Sequence, residues 1–559
     1  LTFAVYWPIV HHDFVEFDDD KVIRDNASFH PVTWEKLVRY WRGPYYGGAF
    51  PITHTTLGAI AAIARDGEGV MQPRPFHVAS LLLHASGVVV VFFTVRRLTE
   101  HEWAAALGAA YFAVHPLQVE SVAWATNINS LLQGLLSLLA INLYVAHAQR
   151  DAAGQRDARQ RLLFVAATVS YLLAMGSKPV AVTLPLVVLA LDVGWIGRSV
   201  RRAIVPVGVW LVFAVPVVFV TRRMLTAPDV YVPPLWARPL VALDAITFYM
   251  GKIVLPLGPS PDYGRSPRWL MGNAALYATW IVPVLAAITI WMLRKRAPKL
   301  LPAALVVALP LLPVLGLTPF HQQQYSTVTD RYMYLPLLGI SAAGAWVASQ
   351  RFRSTAIYAL AAWVAVLAVW SRAEVGKWRD TETLFRTVVA RNPTSLPGHT
   401  VLGLLAVQRN QRDVALAEYR AALQTDPGFP PTLYNLGNVL LAQRRFDEAI
   451  STYRTALLRD AGNPRYLSNL GVAQAEAGHP LDAEESFLAA LRTDPNHVDA
   501  LIGRGVVNRQ LGRFDASLRS FERALMVNPS SPLARRGVEQ TRAAMVAPTT
   551  VPARSGGPR

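Results

Sequence analysis

Carboxylates crowd one short stretch near the start of this 559-residue chain, where Asp13, Glu16, Asp18, Asp19 and Asp20 follow an apolar run. Like charges set so close raise at least one pKa toward neutrality, which suits a carboxylate to accept a proton from a hydroxyl at a lipid surface. A solvated acidic turn or a cation site is the plainer alternative.

Other ionisable residues sit where burial is costly. The stretch His115-Pro116-Leu117-Gln118-Val119-Glu120-Ser121 separates two apolar runs with almost no polar spacer, so Glu120 needs a partner or a job; a helix-capping or structural role competes with a functional one. Lys178, in Ser177-Lys178-Pro179, could bind a lipid phosphate or simply snorkel from a helix end. Arg331 follows Asp330 directly and offers a planar fork for phosphate, or a local ion pair with that neighbour; Arg265 lies in Pro261-Asp262-Tyr263-Gly264-Arg265.

Several chemistries are excluded. Gly251-Lys252 lacks the upstream glycine of a phosphate-binding loop because position 246 is Ile, and the sequence holds no HExxH, no G-x-S-x-G and no dinucleotide fingerprint. The lack of cysteine removes disulfides, Cys-ligated zinc and thiol catalysis.

The elements that must position these residues are apolar. A chain this long holds at least two domains, and a mean hydropathy of +0.27 averages two unlike parts. Apolar runs fall at about 76–95, 103–119, 122–146, 161–176, 179–195, 203–221, 274–293, 300–318, 333–349 and 355–371. Residues 1–10 read as the exit end of a further helix, giving about 11 spans in a polytopic domain over 1–371, with a large loop at 11–75. The segment 241–257 is apolar but interrupted by Asp244, Lys252 and Pro256, and reads as interfacial or re-entrant.

Much of the net charge of +17 sits in alternate short loops: Arg96 and Arg97; Arg150, Arg156, Arg159 and Arg161; Arg198, Arg201 and Arg202; Arg294, Lys295, Arg296 and Lys299; Arg351 and Arg353. The positive-inside rule accounts for these clusters better than nucleic acid does, and it gathers the candidate residues and everything after 371 on the opposite face.

Beyond residue 371 the pattern changes. Gly403, Gly437, Gly471 and Gly505 recur every 34 residues, as do Tyr419, Tyr453, Phe487 and Phe521, and Ala422, Ala456, Ala490 and Ala524. Small residues let paired helices approach, the aromatic fills the gap to the next repeat, and Asp426-Pro427, Asp494-Pro495 and Asn528-Pro529 end second helices. Four tetratricopeptide-type repeats are expected at 398–431, 432–465, 466–499 and 500–532. A connector and capping helix at 372–397 precede them, and a terminal helix with a disordered tail fills 533–559.

The order FVEFDDDKVIRDN, PFHVASLLLH, HPLQVESVAW, GSKPVAVTLP, SPDYGRSP and TDRYMYLPLLG, ending in repeats, resembles the family of transmembrane and tetratricopeptide-repeat proteins over essentially the whole chain. The resemblance implies an all-α fold: a polytopic GT-C-type glycosyltransferase domain followed by an α-solenoid. Animal members are O-mannosyltransferases that use dolichyl-phosphate mannose. By that resemblance Asp18 and Asp19 are the acid pair, with Asp18 the preferred base. The resemblance also favours Glu120 as a pocket residue and Lys178 and Arg331 as ligands for the donor phosphate; Asp20, an extra acid beside the pair, and His115 are added as pocket candidates, and Arg265 as a further phosphate ligand. Ala49-Phe50-Pro51-Ile52-Thr53 and Asn127 to Asn129 depart from the family's pattern, which points to a divergent acceptor.

The expectation is therefore an inverting transferase that needs no cofactor; no residue is assigned as a metal ligand, and the sequence leaves the metal requirement open. It would take a polyprenyl-phosphate sugar as donor and a protein or peptide as acceptor or partner in the repeat groove. Arginine- and alanine-rich composition favours a bacterial inner membrane with the first loop and repeats in the periplasm, the endoplasmic reticulum being the eukaryotic equivalent. A non-catalytic membrane scaffold and a transporter are the rival readings.

Overall fold

The computed structural model describes residues 1–43, 50–224, 231–350 and 353–546. Ala49, Arg351 and the tail beyond 546 lie outside the described residues. Two compact units divide between Ser395 and Leu396. Both are helical; among the described residues the extended pairing is limited to two isolated bridges, Phe29 with Val32 and Arg65 with Met71.

In the first unit, α1 (Thr2–Tyr6), α2 (Trp34–Arg42) and α3 (Pro51–Ile63) precede the long α4 (Arg74–Thr99). Then come α5 (Glu102–Val114), α6 (Val119–Ala123), α7 (Ile128–Ala152), α8 (Ala158–Ser177), α9 (Leu184–Leu191) and α10 (Val200–Met224). The unit continues through α11 (Arg238–Val254), α12 (Pro267–Met271), α13 (Leu276–Thr279), α14 (Ile281–Leu293), α15 (Leu300–Ala308), α16 (Leu337–Ala348), α17 (Arg353–Val375) and α18 (Thr381–Arg391).

Seven helical stretches among the described residues have the length and apolarity to cross a bilayer: 74–99, 125–152, 158–177, 179–196, 200–223, 276–293 and 357–378. The other expected runs form shorter helices, and proline explains two of them. The run at 103–119 stops at Val114 because Pro116 cannot continue the helix, and α5 is instead buried against α4, α16 and α17. The run at 300–318 carries Pro302, Pro310 and Pro313 and tightens into a 3-10 turn after Ala308. Within 241–257 the chain is helical as far as Val254, in α11, whose buried face carries Val241, Asp244, Ala245 and Tyr249, and residues 255–257 leave the helix at Pro256.

The described parts of the loop at 11–75, residues 11–43 and 50–75, are folded. Phe14, Ile23, Phe29, Tyr40, Leu57 and Met71 share a core with Phe76 of α4 and with Ala125 and Ile128 at the start of α7. Thr33 caps α2 by accepting from Lys36 N, and the Lys36 ammonium donates to the carbonyls of Ala27, His30 and Pro31. Beneath the acidic stretch lies α18: Phe385 packs 5.7 Å from Phe17, Thr381 Oγ1 accepts from Glu16 N at 2.9 Å, and Asp13 N donates to Arg379 O at 3.0 Å. The helix just before the repeats is thus part of the first unit and shapes the acidic segment.

The second unit pairs α19 (Leu396–Gln408) with α20 (Arg412–Thr425), α21 (Pro430–Ala442) with α22 (Phe446–Leu457), α23 (Pro464–Glu476) with α24 (Pro480–Thr493), and α25 (Val498–Gln510) with α26 (Phe514–Val527). A final α27 (Pro532–Val546) packs on α26. Each recurring aromatic is buried over the glycine of its own repeat. A Cβ at Gly471 would lie 2.9 Å from the Phe487 ring, and one at Gly505 would lie 2.8 Å from Phe521. Phe487 and Phe521 also press on Gly503 and Gly537 of the following element, so one ring joins two repeats. Burying each such ring stabilises the stack by about 1.5–3 kcal/mol. Gly505→Val, which thrusts a branched side chain into that contact, is expected to cost about 1–3 kcal/mol in thermal or urea unfolding. Gly462→Ala, with 4.0 Å to its nearest neighbour, is expected to stay within about 0.5 kcal/mol of the parent; equal effects of the two would contradict the packing argument.

Candidate functional site

Breaks in the apolar helices create the site. A 3-10 turn at Ala125–Asn127 precedes α7, and the first amides of such an element have no intrahelical acceptor. Asp19 fills that need. Its Oδ1 accepts from Thr126 N at 2.8 Å and from the Thr126 hydroxyl, while Oδ2 accepts from Val15 N at 2.9 Å. The side chain is fully buried, and burial raises its pKa to about 6 against the pull of these donors. Asp19 therefore clamps the acidic segment onto the start of α7.

Asp18 is differently placed. Among the described residues its carboxylate makes no hydrogen bond, and it is half-buried. Burial raises its pKa to about 6, with Arg331 and Lys21 drawing it down and Asp20 pushing it up. Asp20 keeps one buried oxygen, Oδ1, without a partner.

Arg331 is the charge facing this segment. The 3-10 turn at Asp330–Met333 presents Arg331 N to Glu120 Oε2 at 3.0 Å, while the guanidinium Nη1 donates to Glu120 Oε1 at 2.5 Å and to Thr329 Oγ1 at 3.1 Å. Thr329 Oγ1 in turn donates to both oxygens of Glu120 at 2.9 Å. Trp124 and Tyr332 cover the guanidinium, with ring centres 5.4 and 5.5 Å away. The partner of Arg331 is thus Glu120 rather than the adjacent Asp330. Asp330 accepts from the Tyr263 hydroxyl at 2.7 Å, and burial together with the Glu120 charge raises its pKa.

Lys178 turns inward rather than snorkelling: its ammonium donates to Ser130 Oγ at 2.8 Å. Burial, reinforced by the Arg331 charge and opposed by Glu120, lowers its pKa to about 7. Asp18, Glu120, Lys178 and Arg331 thus form one electrostatic group drawn from four separate segments. Two further predicted residues do other work. Arg265 makes an ion pair with Asp244, its Nη2 donating to the two carboxylate oxygens at 2.6 and 2.7 Å. His115 caps the turn at 116–118 through Leu117 N, with its other ring nitrogen 3.4 Å from Ile253 O.

Thr126, Ser130 and Thr329 join the site without having been singled out from the sequence. The available signal was hydroxyls at the mouths of apolar helices, where unpaired backbone amides need partners.

Two tetratricopeptide-repeat family profiles match residues 406–470 and 468–535. The protein O-mannosyl-transferase TMTC3 of Mus musculus is 28% identical over 144 residues, which is 25% of this chain and 15% of that protein. The Homo sapiens protein of the same name is 27% identical over 144 residues, covering 25% of this chain and 16% of its own length. The match thus spans less than a fifth of these relatives. Among solved structures, MamA is 19% identical with a TM-score of 0.25, covering 27% of this chain and 82% of that one. YrrB, described as a TPR protein with an unusual peptide-binding site, is 22% identical with a TM-score of 0.26, covering 29% and 83%. The chain is a multi-pass, all-helical protein that carries a tetratricopeptide-repeat array and is TMTC3-like over part of its length.

Proposed function

We propose that this chain is an integral membrane glycosyltransferase of GT-C type. In this reading it moves a sugar, mannose in the favoured form, from a polyprenyl-phosphate donor to a hydroxyl on the non-cytoplasmic face, without a soluble cofactor. One observation carries the reading: an unbonded carboxylate, Asp18, with its pKa raised to about 6, stands in the field of Arg331, itself grouped with Glu120 and Lys178. The partial similarity to TMTC3 supports it. The acceptor oxygen bonds to the anomeric carbon, its proton passes to Asp18, and the bond from that carbon to the phosphate oxygen breaks. Lys178 and Arg331 take the negative charge of the departing polyprenyl phosphate. A single displacement inverts the anomeric centre. Asp19 positions the base, and the repeats offer a surface for an extended peptide, the general use of such arrays. A bacterial inner membrane, with repeats in the periplasm, is the proposed setting.

The test is sugar transfer by the purified full chain in lipid, from polyprenyl-phosphate mannose, as a function of pH. Asp18 must be ionised, so kcat/KM rises with pH through about 6. Lys178 must be protonated to hold phosphate, so kcat/KM falls above about 7. Asp18→Asn is expected to remove the acid limb, and Lys178→Arg to carry the alkaline limb upward. Absence of transfer by the folded wild-type protein, over several donor sugars and acceptor pools, would instead favour a membrane-anchored repeat scaffold.

A further inference from the structure

The far end of the same helices carries a second site. Where α4 ends and α7 turns into α8, a cavity of about 250 Å³ is lined by Arg97, Gln149, Arg150, Gln155, Arg159 and Leu163. That volume equals roughly eight waters, room for a phosphate and its glycerol. Ser130, which binds Lys178, and Arg150 lie at opposite ends of α7, about 30 Å apart at the helical rise per residue. That is about the thickness of a bilayer's hydrocarbon core.

The charge around this cavity is not balanced. Three nearby carboxylates are engaged, Asp157 with Arg150 at 2.6 Å, Asp151 with Arg156 at 2.8 Å and Arg198 at 3.2 Å, and Glu102 with Arg96 at 3.0 Å, while Glu100 at the end of α4 is exposed and does not line the cavity. Arg97 and Arg159 have no carboxylate partner among the described residues, although both line the cavity. Gln149 Nε2 donates to Arg97 O at 2.8 Å and fixes the end of α4 against α7. Arg150 leaves its buried Nε without a hydrogen-bond acceptor. Guanidinium groups converging on an open cavity at a membrane boundary call for an anion with several acceptor oxygens.

We propose that this cavity binds a phosphate-bearing anion, with the headgroup of an anionic phospholipid and free phosphate as the two sources of that chemistry. Arg97 and Arg159 supply the unneutralised charge, and Arg150 supplies a further donor. The site is separate from the proposed sugar-transfer centre and does not depend on that reading.

The experiment titrates the full chain in neutral detergent with dioctanoyl phosphatidylglycerol, dioctanoyl phosphatidylcholine or inorganic phosphate, reading bound ligand by native mass spectrometry and the shift in melting temperature. Phosphatidylglycerol is expected to bind better than phosphatidylcholine, and Arg97→Gln/Arg159→Gln to weaken it roughly 30-fold. Arg97→Lys/Arg159→Lys, which keeps the charge, retains most of the binding. Arg294→Gln/Lys295→Gln/Arg296→Gln, which empties a basic cluster elsewhere, leaves it unchanged. If the double Gln variant does not fold, Arg159→Gln alone, an exposed side chain, is expected to weaken binding about fivefold. Inorganic phosphate that binds with the same arginine dependence and displaces phosphatidylglycerol supports the anion site and assigns it to free phosphate. Equal binding of phosphatidylglycerol by wild type and a folded Gln variant overturns the proposal, as does failure of both anions to bind the wild type.

Discussion

Asp18→Asn is expected to lower sugar transfer by about 100- to 10,000-fold, the range for removing a general base, while leaving the melting temperature within a degree or two of the parent. The amide is nearly isosteric, and no side-chain hydrogen bond of Asp18 is lost, because its carboxylate makes none among the described residues. Asp19→Asn should behave oppositely. Its two oxygens both face donors, so the amide NH2 must meet either Val15 N or the Thr126 pair, leaving buried groups unsatisfied. That costs about 1–3 kcal/mol of stability. The folded fraction of Asp19→Asn should still show the acid limb of the pH profile, which Asp18→Asn lacks. Should Asp19→Asn abolish that limb in folded protein and Asp18→Asn keep it, the two roles are reversed.

Two neighbouring aspartates with one apparent chemistry thus divide into a clamp and a base. The sequence could not make that division, because the donors that occupy Asp19 come from Thr126, 107 positions away. The same limit governs Arg331, whose obvious partner in sequence is Asp330 but whose carboxylate is Glu120, 211 positions distant. Arg265 looked available for phosphate until α11 brought Asp244 to it. What was legible was periodic and local. The 34-residue spacing of Gly and aromatic residues dictates a ring over a backbone, and the rings at Tyr419, Tyr453, Phe487 and Phe521 lie there. Long apolar runs became long helices where no proline or polar break intervened, as in α4 beyond its first turn and α8, and α10 stays helical through Pro206 and Pro216. Two of the breaks, at His115-Pro116 and Lys178-Pro179, were visible as residues, whereas the one at Trp124–Asn127 lay inside a run read as continuous over 122–146. Their consequence was not: each frees backbone groups or turns a side chain inward, and the site is assembled from those loose ends.

The Glu120–Arg331 pair makes the other large prediction, and it separates holding the fold from holding the phosphate. Both side chains are buried, at 2% and 10% exposed, so removing one charge strands the other in a low-dielectric setting. Glu120→Ala is expected to destabilise the protein by about 3–5 kcal/mol in unfolding measured in lipid nanodiscs. Replacing both charges by neutral amides, in Glu120→Gln/Arg331→Gln, removes the stranded ion and keeps donors and acceptors in place for Thr329. Most of the stability should return. Transfer should not, because an amide gives the leaving phosphate no positive charge. If Arg331 serves only to neutralise Glu120, the double variant regains activity along with its melting temperature, and the phosphate role falls to Lys178 alone. Inactivity at restored stability assigns Arg331 both tasks: counter-ion to Glu120 in the resting site, and ligand to the phosphate when the donor arrives.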